Sequence, residues 1–249
     1  MKLHYNQDPM GKAIYDFVRH GSAQYPLIVQ STLFEDDEMP VPNLFRTEKD
    51  MPKLERMAID LCKGSVLDIG AGAGCHTLAL ERRNIKVTSI DISELSTQVR
   101  SMLGAKNALC ADLYTDNFGS NFDTIIMLMN GLGLAGNLNN LPHLLNRCKN
   151  LLSAGGKILA DSSDLRYIYE DEDGNFDWDP SDGYYGEVDF KMSYGDCVGK
   201  SFDWLYVDFD TLSHTAALCG LKAAKIGRTL RLPCRNNSRI KQIISPVKT

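Results

Sequence analysis

Several things are scarce in this 249-residue chain, and each scarcity closes off a class of protein. No apolar run approaches the length that spans a membrane, and the opening MKLHYNQDPM lacks the apolar core of a secretory signal. The expected address is therefore the cytoplasm, with no membrane partner. Metal spacing is missing too. The seven cysteines, at 62, 75, 110, 148, 197, 219 and 234, are odd in number and form no Cys-x-x-Cys, and the five histidines add no matching spacing. Reduced thiols are expected, not disulfides or a zinc site, and no metal is assigned. Net positive charge is also absent. With 27 Lys and Arg against 32 Asp and Glu the formal charge is −5, which gives no global reason to expect a nucleic-acid partner. No internal repeat or low-complexity stretch is evident.

What is present is ordinary for a globular protein, with 43% hydrophobic and 24% charged residues. The stretch that organises the rest is SVLDIGAGAGCHTLAL, residues 65–80. Val66-Leu67-Asp68-Ile69 reads as a buried strand, Gly70, Gly72 and Gly74 follow, and Thr77-Leu78-Ala79-Leu80 takes up a helical pattern. Glycines at a strand–turn–helix junction allow positive φ and leave bare backbone against which a ligand can lie. The spacing departs from the dinucleotide fingerprint G-x-G-x-x-G, because the third glycine comes one place early. The carboxylate of Asp68 precedes the loop; it would repel a pyrophosphate and favour an ammonium or sulfonium group.

VLDIGAGAG resembles the first motif of class I S-adenosylmethionine (SAM)-dependent methyltransferases. Two further acids fall where that resemblance requires them. IKVTSIDI, residues 85–92, reads as a second strand that ends in Asp91, placed to accept hydrogen bonds from both ribose hydroxyls. ALCADL, residues 108–113, ends a third strand with Asp112, which in the family receives the adenine amino group while the next backbone amide meets the ring. The apolar run 122–129 reads as a fourth, central strand leading into Asn130-Gly131-Leu132-Gly133. Ligands of open α/β sheets bind at the carboxyl ends of strands near the topological switch point, so cofactor and substrate are expected there. The resemblance implies a cofactor site of Asp68, Gly70, Ala71, Gly72, Gly74, Asp91, Ile92, Asp112, Leu113, Met129, Asn130 and Gly131. It spans about residues 60–230 and says little about the acceptor.

Around that core the chain is expected to divide into an N-terminal helical cap or lid (1–60), a Rossmann-like domain (61–230) with an insertion near 163–200, and a basic tail (231–249). Asp8 and Pro9 open an amphipathic helix over 8–20, and Tyr5 and Tyr15 on or beside it stand as candidates to approach the methyl group. Residues 25–45 flank the acids Glu35-Asp36-Asp37-Glu38 with apolar runs, which fits either a lid over the cofactor or a surface loop. Arg46 is a candidate for the SAM carboxylate or, equally, a surface residue. A helix is expected over 47–62 with Asp50 as N-cap, another from Ser93 to Leu103, and one from Asn140 to Leu152 before a fifth strand, KILAD, 157–161. Residues 164–182 hold eight acids and one Arg interleaved with Tyr167, Tyr169, Phe176 and Trp178, a composition unlike a disordered linker. An antiparallel hairpin over 186–194 and 201–209, a helix over 211–219 and a final strand over 221–229 close the domain.

The resulting fold class is α/β: a doubly wound, mostly parallel seven-stranded sheet with an antiparallel last strand, an N-terminal cap and an inserted hairpin. The function implied is transfer of a methyl group to a small-molecule acceptor by in-line displacement, yielding S-adenosylhomocysteine (SAH). Asp161 and, in the insertion, Tyr184 or Tyr185 are the candidates for a catalytic base, and Tyr15 is a further catalytic candidate near the methyl group. The rival readings are a nicotinamide-dependent oxidoreductase, disfavoured by the glycine spacing, and a SAM- or SAH-binding regulatory protein without turnover. From Thr211 onward there is no acid and eight Lys or Arg, which fits either a basic solvated tail or a contact with the acidic insertion, within one chain or across a homodimer.

Overall fold

A computed structural model describes residues 2–227. The helices are α1 (Pro9–His20), α2 (Lys53–Leu61), α3 (Cys75–Arg82), α4 (Glu94–Met102), α5 (Leu141–Leu151) and α6 (Phe209–Leu218). The strands are β1 (Leu27–Gln30), β2 (Asp37–Glu38), β3 (Ser65–Ile69), β4 (Lys86–Asp91), β5 (Ala108–Cys110), β6 (Phe122–Met127), β7 (Leu152–Ala160), β8 (Glu187–Tyr194), β9 (Cys197–Val198) and β10 (Phe202–Leu205).

The central sheet is parallel, in the order β5-β4-β3-β6-β7. The chain works outward from β3 to β5, then crosses back to lay β6 beside β3. This reversal makes the carboxyl ends of β3 and β6 the switch point. Strand residues Val66, Leu67, Ile125, Ile126, Ile158 and Leu159 are all buried, as continuous apolar runs in a sheet covered on both faces must be. Leu67 and Ile125 belong to a core with α5 and α6, while Val66 and Ile126 pack with α2 and α3.

Sequence reading departs from the structure at several places. The parallel sheet has five strands among the described residues; 221–227 form no strand element, and 228–229 and the tail 231–249 lie outside the described residues. The helix expected over 47–62 starts at Lys53, with Pro52 at the N-cap; before it lies a single 3-10 turn, Glu48–Asp50. A proline lacks the N–H that would join the two and holds its predecessor Met51 in extended conformation. α6 begins two residues early because Asp208 accepts the amides of Asp210 and Thr211, both at 2.9 Å.

The larger difference concerns the cap. β1 does not lie free over the crevice; it pairs antiparallel with β8 of the insertion on one side and with β2 on the other. Cap and insertion thus build one second sheet, β10-β8-β1-β2 with β9 on β8. Its Leu27 and Tyr194 pack under Ala13 of α1, and Phe17 of α1 stacks on Phe45 with ring centroids 4.6 Å apart. Glu35–Glu38 stay exposed. Of the apolar flanks of 25–45, Leu27 is buried in this sheet, whereas Leu44 lies outside it and packs with Ile14, Val99 and Ala73 of the glycine loop.

Candidate active site

The glycine loop is built by folding the chain back on the tip of β4. The amides of Gly70 and Ala71 both donate to the Ile90 carbonyl, at 3.0 and 3.1 Å, and the Gly72 amide donates to Asp91 Oδ2 at 2.8 Å. Gly70, Gly72 and Gly74 adopt φ of 69°, 51° and 89°, the left-handed region. The three are not equivalent. A β-carbon on Gly72 would meet nothing within 4 Å, whereas one on Gly74 would lie 2.9 Å from Arg100 Cγ. Gly72 therefore faces open space, and Gly74 is glycine because a buried side chain passes beneath it.

Asp68 does not face that space. It is 2% exposed, under the loop, and accepts the Thr77 hydroxyl of α3 at 2.6 Å. Burial raises its carboxyl above the usual range, against the pull of His76, the Thr77 hydrogen bond and Arg100. Asp91 is more open, its side chain 14% exposed. Its Oδ1 accepts the Ser93 amide at 2.9 Å, so each oxygen carries one protein hydrogen bond and keeps further acceptor capacity. Asp112 sits two residues beyond the end of β5. Burial would raise it, but hydrogen bonds that include the Tyr114 amide, at 2.9 Å, hold it below the usual range. Leu113 is buried in the core, while Ile92 and Tyr114 are exposed just past the ends of β4 and β5. Tyr114 stacks on His143 of α5 at 4.8 Å.

Across the switch point, β6 ends at Met127, two residues short of the expected boundary, because Met129 and Asn130 turn to φ of 67° and 63°. Two buried groups hold this turn. Asp161 Oδ1 accepts the Asn130 amide at 2.7 Å, and the Asn130 side chain bridges the Ser163 amide (3.1 Å) and the Leu205 carbonyl (3.2 Å). Met129 is left exposed and Gly131 is buried over Met127. The loop then returns toward the glycines: a β-carbon on Gly70 would stand 3.7 Å from Leu134 Cδ1. Trp204 of β10 lies flat on Gly133, where a β-carbon would fall 2.0 Å from Nε1.

Of the catalytic candidates, Asp161 is 2% exposed and bonded to the loop it supports. Tyr184 donates to Asp208 Oδ2 at 2.6 Å and accepts the Asp208 amide at 3.0 Å, which ties it to the start of α6. Burial and Asp208 push the Tyr184 phenol upward, further from a form that accepts protons. Tyr15 is half-buried and packs on the cluster of Ile14, Leu44, Val99 and Ala73, the last in the glycine loop.

Two features were missed from sequence. Arg100 on α4 is fully buried beneath the glycine loop. Its Nη1 donates to the Gly72 carbonyl at 2.9 Å and lies 3.9 Å from Asp91 Oδ2; its Nη2 reaches Thr97 Oγ1 (3.1 Å) and the Leu109 carbonyl (3.3 Å). The other is a buried ion network. Glu55 of α2 accepts Arg46 Nε at 2.9 Å and pairs with His76 Nε2 of α3 at 3.0 Å, so Arg46 is held by Glu55 rather than directed at a cofactor carboxylate. Burial works against charge on His76, but Cys75, Glu55 and Asp68 together carry its pKa up to about 10. Nothing in the local spacing of Arg46, Glu55 and His76 marks them as partners, because three separate elements supply them.

With this geometry in view, the chain can be compared with known proteins. The family model for a methyltransferase domain matches residues 66–156. A SAM-dependent methyltransferase from Bacteroides fragilis, crystallised with S-adenosyl-L-homocysteine, is 46% identical over 99% of this chain and 97% of that one, with a TM-score of 0.88. The chain belongs to the SAM-dependent methyltransferases. The methyltransferase CcbJ from Streptomyces caelestis shares the fold at 13% identity, covering 82% of this chain and 99% of that one, with a TM-score of 0.59. CalS10, an amino pentose methyltransferase from Micromonospora echinaspora, does so at 13% identity over 87% and 100%, with a TM-score of 0.51. No curated protein matches the chain. For this methyltransferase the Rossmann-like α/β fold and the enzyme class expected from the glycine motif hold.

Proposed function

We propose that the crevice between β3 and β6 takes SAM and presents its methyl group to a small-molecule acceptor. The observation that carries this reading is the Gly70–Gly74 loop. Gly72 faces open space beside the partly exposed Asp91 carboxylate, at the switch point of the sheet. The residues fit the cofactor: an acid with acceptor capacity remaining, a backbone cradle without β-carbons, and the apolar Ile92 and Met129 exposed just beyond the strand ends.

When bound, SAM supplies an already activated methyl group on a sulfonium. The work left to the chain is alignment and exclusion of water. Asp91 takes the ribose hydroxyls, Ile92 and Leu113 border the base, Asp112 receives its amino group, and the Met129–Gly131 turn closes the other side. Asp68 acts from below, through Thr77, by fixing the start of α3. Asp161 acts as a clamp on Asn130. Tyr15 is the catalytic candidate that remains, packed on the cluster that includes Ala73 of the glycine loop.

The exposed acids Glu35–Glu38 and those of 170–182 oppose phosphate backbones, which supports a small molecule as acceptor. No helix among the described residues is long and apolar enough to cross a membrane, and six cysteines among them are free, in keeping with a cytoplasmic address. Titration calorimetry tests the cofactor: SAM and SAH bind and NAD does not, and tighter binding of NAD sinks the assignment. Incubation with SAM and a metabolite extract, followed by detection of SAH, tests turnover and begins to identify the acceptor.

A further inference from the structure

Arg100 is the largest fully buried side chain in the described structure, and it lies under the cofactor loop. A guanidinium carries several kcal/mol of desolvation cost when taken from water, so its burial calls for compensating partners. It has them in an arrangement that closes a ring. The Gly72 amide donates to Asp91 Oδ2, the Gly72 carbonyl accepts Arg100 Nη1, and Arg100 Nη1 faces Asp91 Oδ2 at 3.9 Å. Both polar ends of the residue that faces open space are therefore fixed by one charge pair. The Nη2 bond to the Leu109 carbonyl ties the same guanidinium to β5, the strand that leads to Asp112. The Arg100 stem runs so close to Gly74 that no other residue fits there without displacement. The Nε remains without a partner, so this group is not placed for maximal hydrogen bonding in the core. Its placement matches the loop instead.

We propose that Arg100 is a positioning residue for the cofactor: it orients the Gly72 peptide and the Asp91 carboxylate so that Asp91 presents its open edge to the ribose hydroxyls. This inference rests on the reading of the crevice as the SAM site. Arg100 is fully buried and acts through Asp91 and Gly72.

The test is a double-mutant cycle on SAH binding, read by calorimetry on the full chain. Arg100→Met, which keeps much of the volume and removes the donors and charge, weakens SAH binding at least about tenfold. In an Asp91→Ala background the same change costs less than about threefold, because the group it positions is gone. Arg100→Lys, with one nitrogen in place of a fork, recovers part of the loss and not all of it. A role confined to stability gives equal losses in both backgrounds, and that result overturns the proposal, as does unchanged affinity in Arg100→Met. If Arg100→Met does not fold, Arg100→Lys carries the same cycle, and additive losses there overturn it equally. Should the wild-type chain fail to bind SAH, the functional reading fails; if the wild type binds and the Arg100 variants match it, only this inference fails.

Discussion

Gly72 and Gly74 share a left-handed backbone and differ in what surrounds them, so alanine at each separates cofactor binding from stability. Alanine in that region costs about 1–2 kcal/mol by crowding its own carbonyl, partly offset by the lower entropy of the unfolded chain. At Gly72, with φ of 51° and nothing within 4 Å of the new methyl, that cost stands alone and the net loss is about 1 kcal/mol. At Gly74 the methyl falls 2.9 Å from Arg100 Cγ and 3.1 Å from Cδ, in a site where the stem cannot retreat, and overpacking adds roughly 1–3 kcal/mol. For a chain of this size about 1 kcal/mol moves the melting temperature roughly 2–4 °C. Gly72→Ala is therefore expected to melt about 2–4 °C low and Gly74→Ala, at about 2–4 kcal/mol in total, about 4–16 °C low by scanning calorimetry. Affinity runs differently. The Gly72 methyl occupies space the cofactor needs, and SAH binding weakens at least about tenfold despite the milder stability loss. Wild-type affinity in Gly72→Ala refutes the cradle, and equal melting temperatures refute the packing argument at Gly74.

Replacing Asp91 by Ala removes a charged acceptor for two hydroxyls, each bond worth about 1.5–3 kcal/mol, so the SAH dissociation constant rises at least about tenfold with the fold intact by circular dichroism. Glu55→Gln strands Arg46 and His76 as buried cations, and urea unfolding near pH 6 shows a loss of about 3–5 kcal/mol. In the wild type the raised His76 pKa contributes stability in full below the unfolded value near 6.5 and loses it as pH climbs toward about 10; Glu55→Gln lessens this slope without abolishing it, since Cys75 and Asp68 still favour the charged ring. Tyr184→Phe loosens the start of α6 by about 1–2 kcal/mol and leaves SAH affinity unchanged; a large loss of affinity returns Tyr184 to the site. Gel shifts with mixed DNA and RNA at low salt show no submicromolar binding.

Much of the site was legible because its parts are local. Strand, glycines and helix lie within residues 65–80, and a loop that must adopt positive φ writes glycine directly into the sequence. Asp91 and Asp112 were placed at or just past the ends of β4 and β5 by counting one βα unit at a time, which works because each acid closely follows its strand. Caps were equally readable: Asp8 accepts the Gly11 amide at 2.8 Å and Ser93 the Ser96 amide at 2.9 Å, three residues away in each case.

What depended on the whole structure involves partners far apart in the chain. The pairing of Leu27 with Tyr194 spans the entire Rossmann core, so a segment read as a lid is a strand of a second sheet. Alternation in 25–30 shows that a face is buried but not which strand lies beside it. Arg46, Glu55 and His76 meet only because three separate segments converge, and nothing in the sequence around any one of them names the other two. Asp68 looked like a ligand contact because the acid and the loop adjoin in sequence; the twist of the junction turns its side chain beneath the loop toward Thr77. Arg100 shows the same limit most plainly. The sequence by itself determined the glycine loop and the acids near the ends of the neighbouring strands, since backbone conformation is chosen residue by residue. Tertiary packing alone decided what lies beneath the loop, because a buried charge is tolerated only where distant elements together supply its partners.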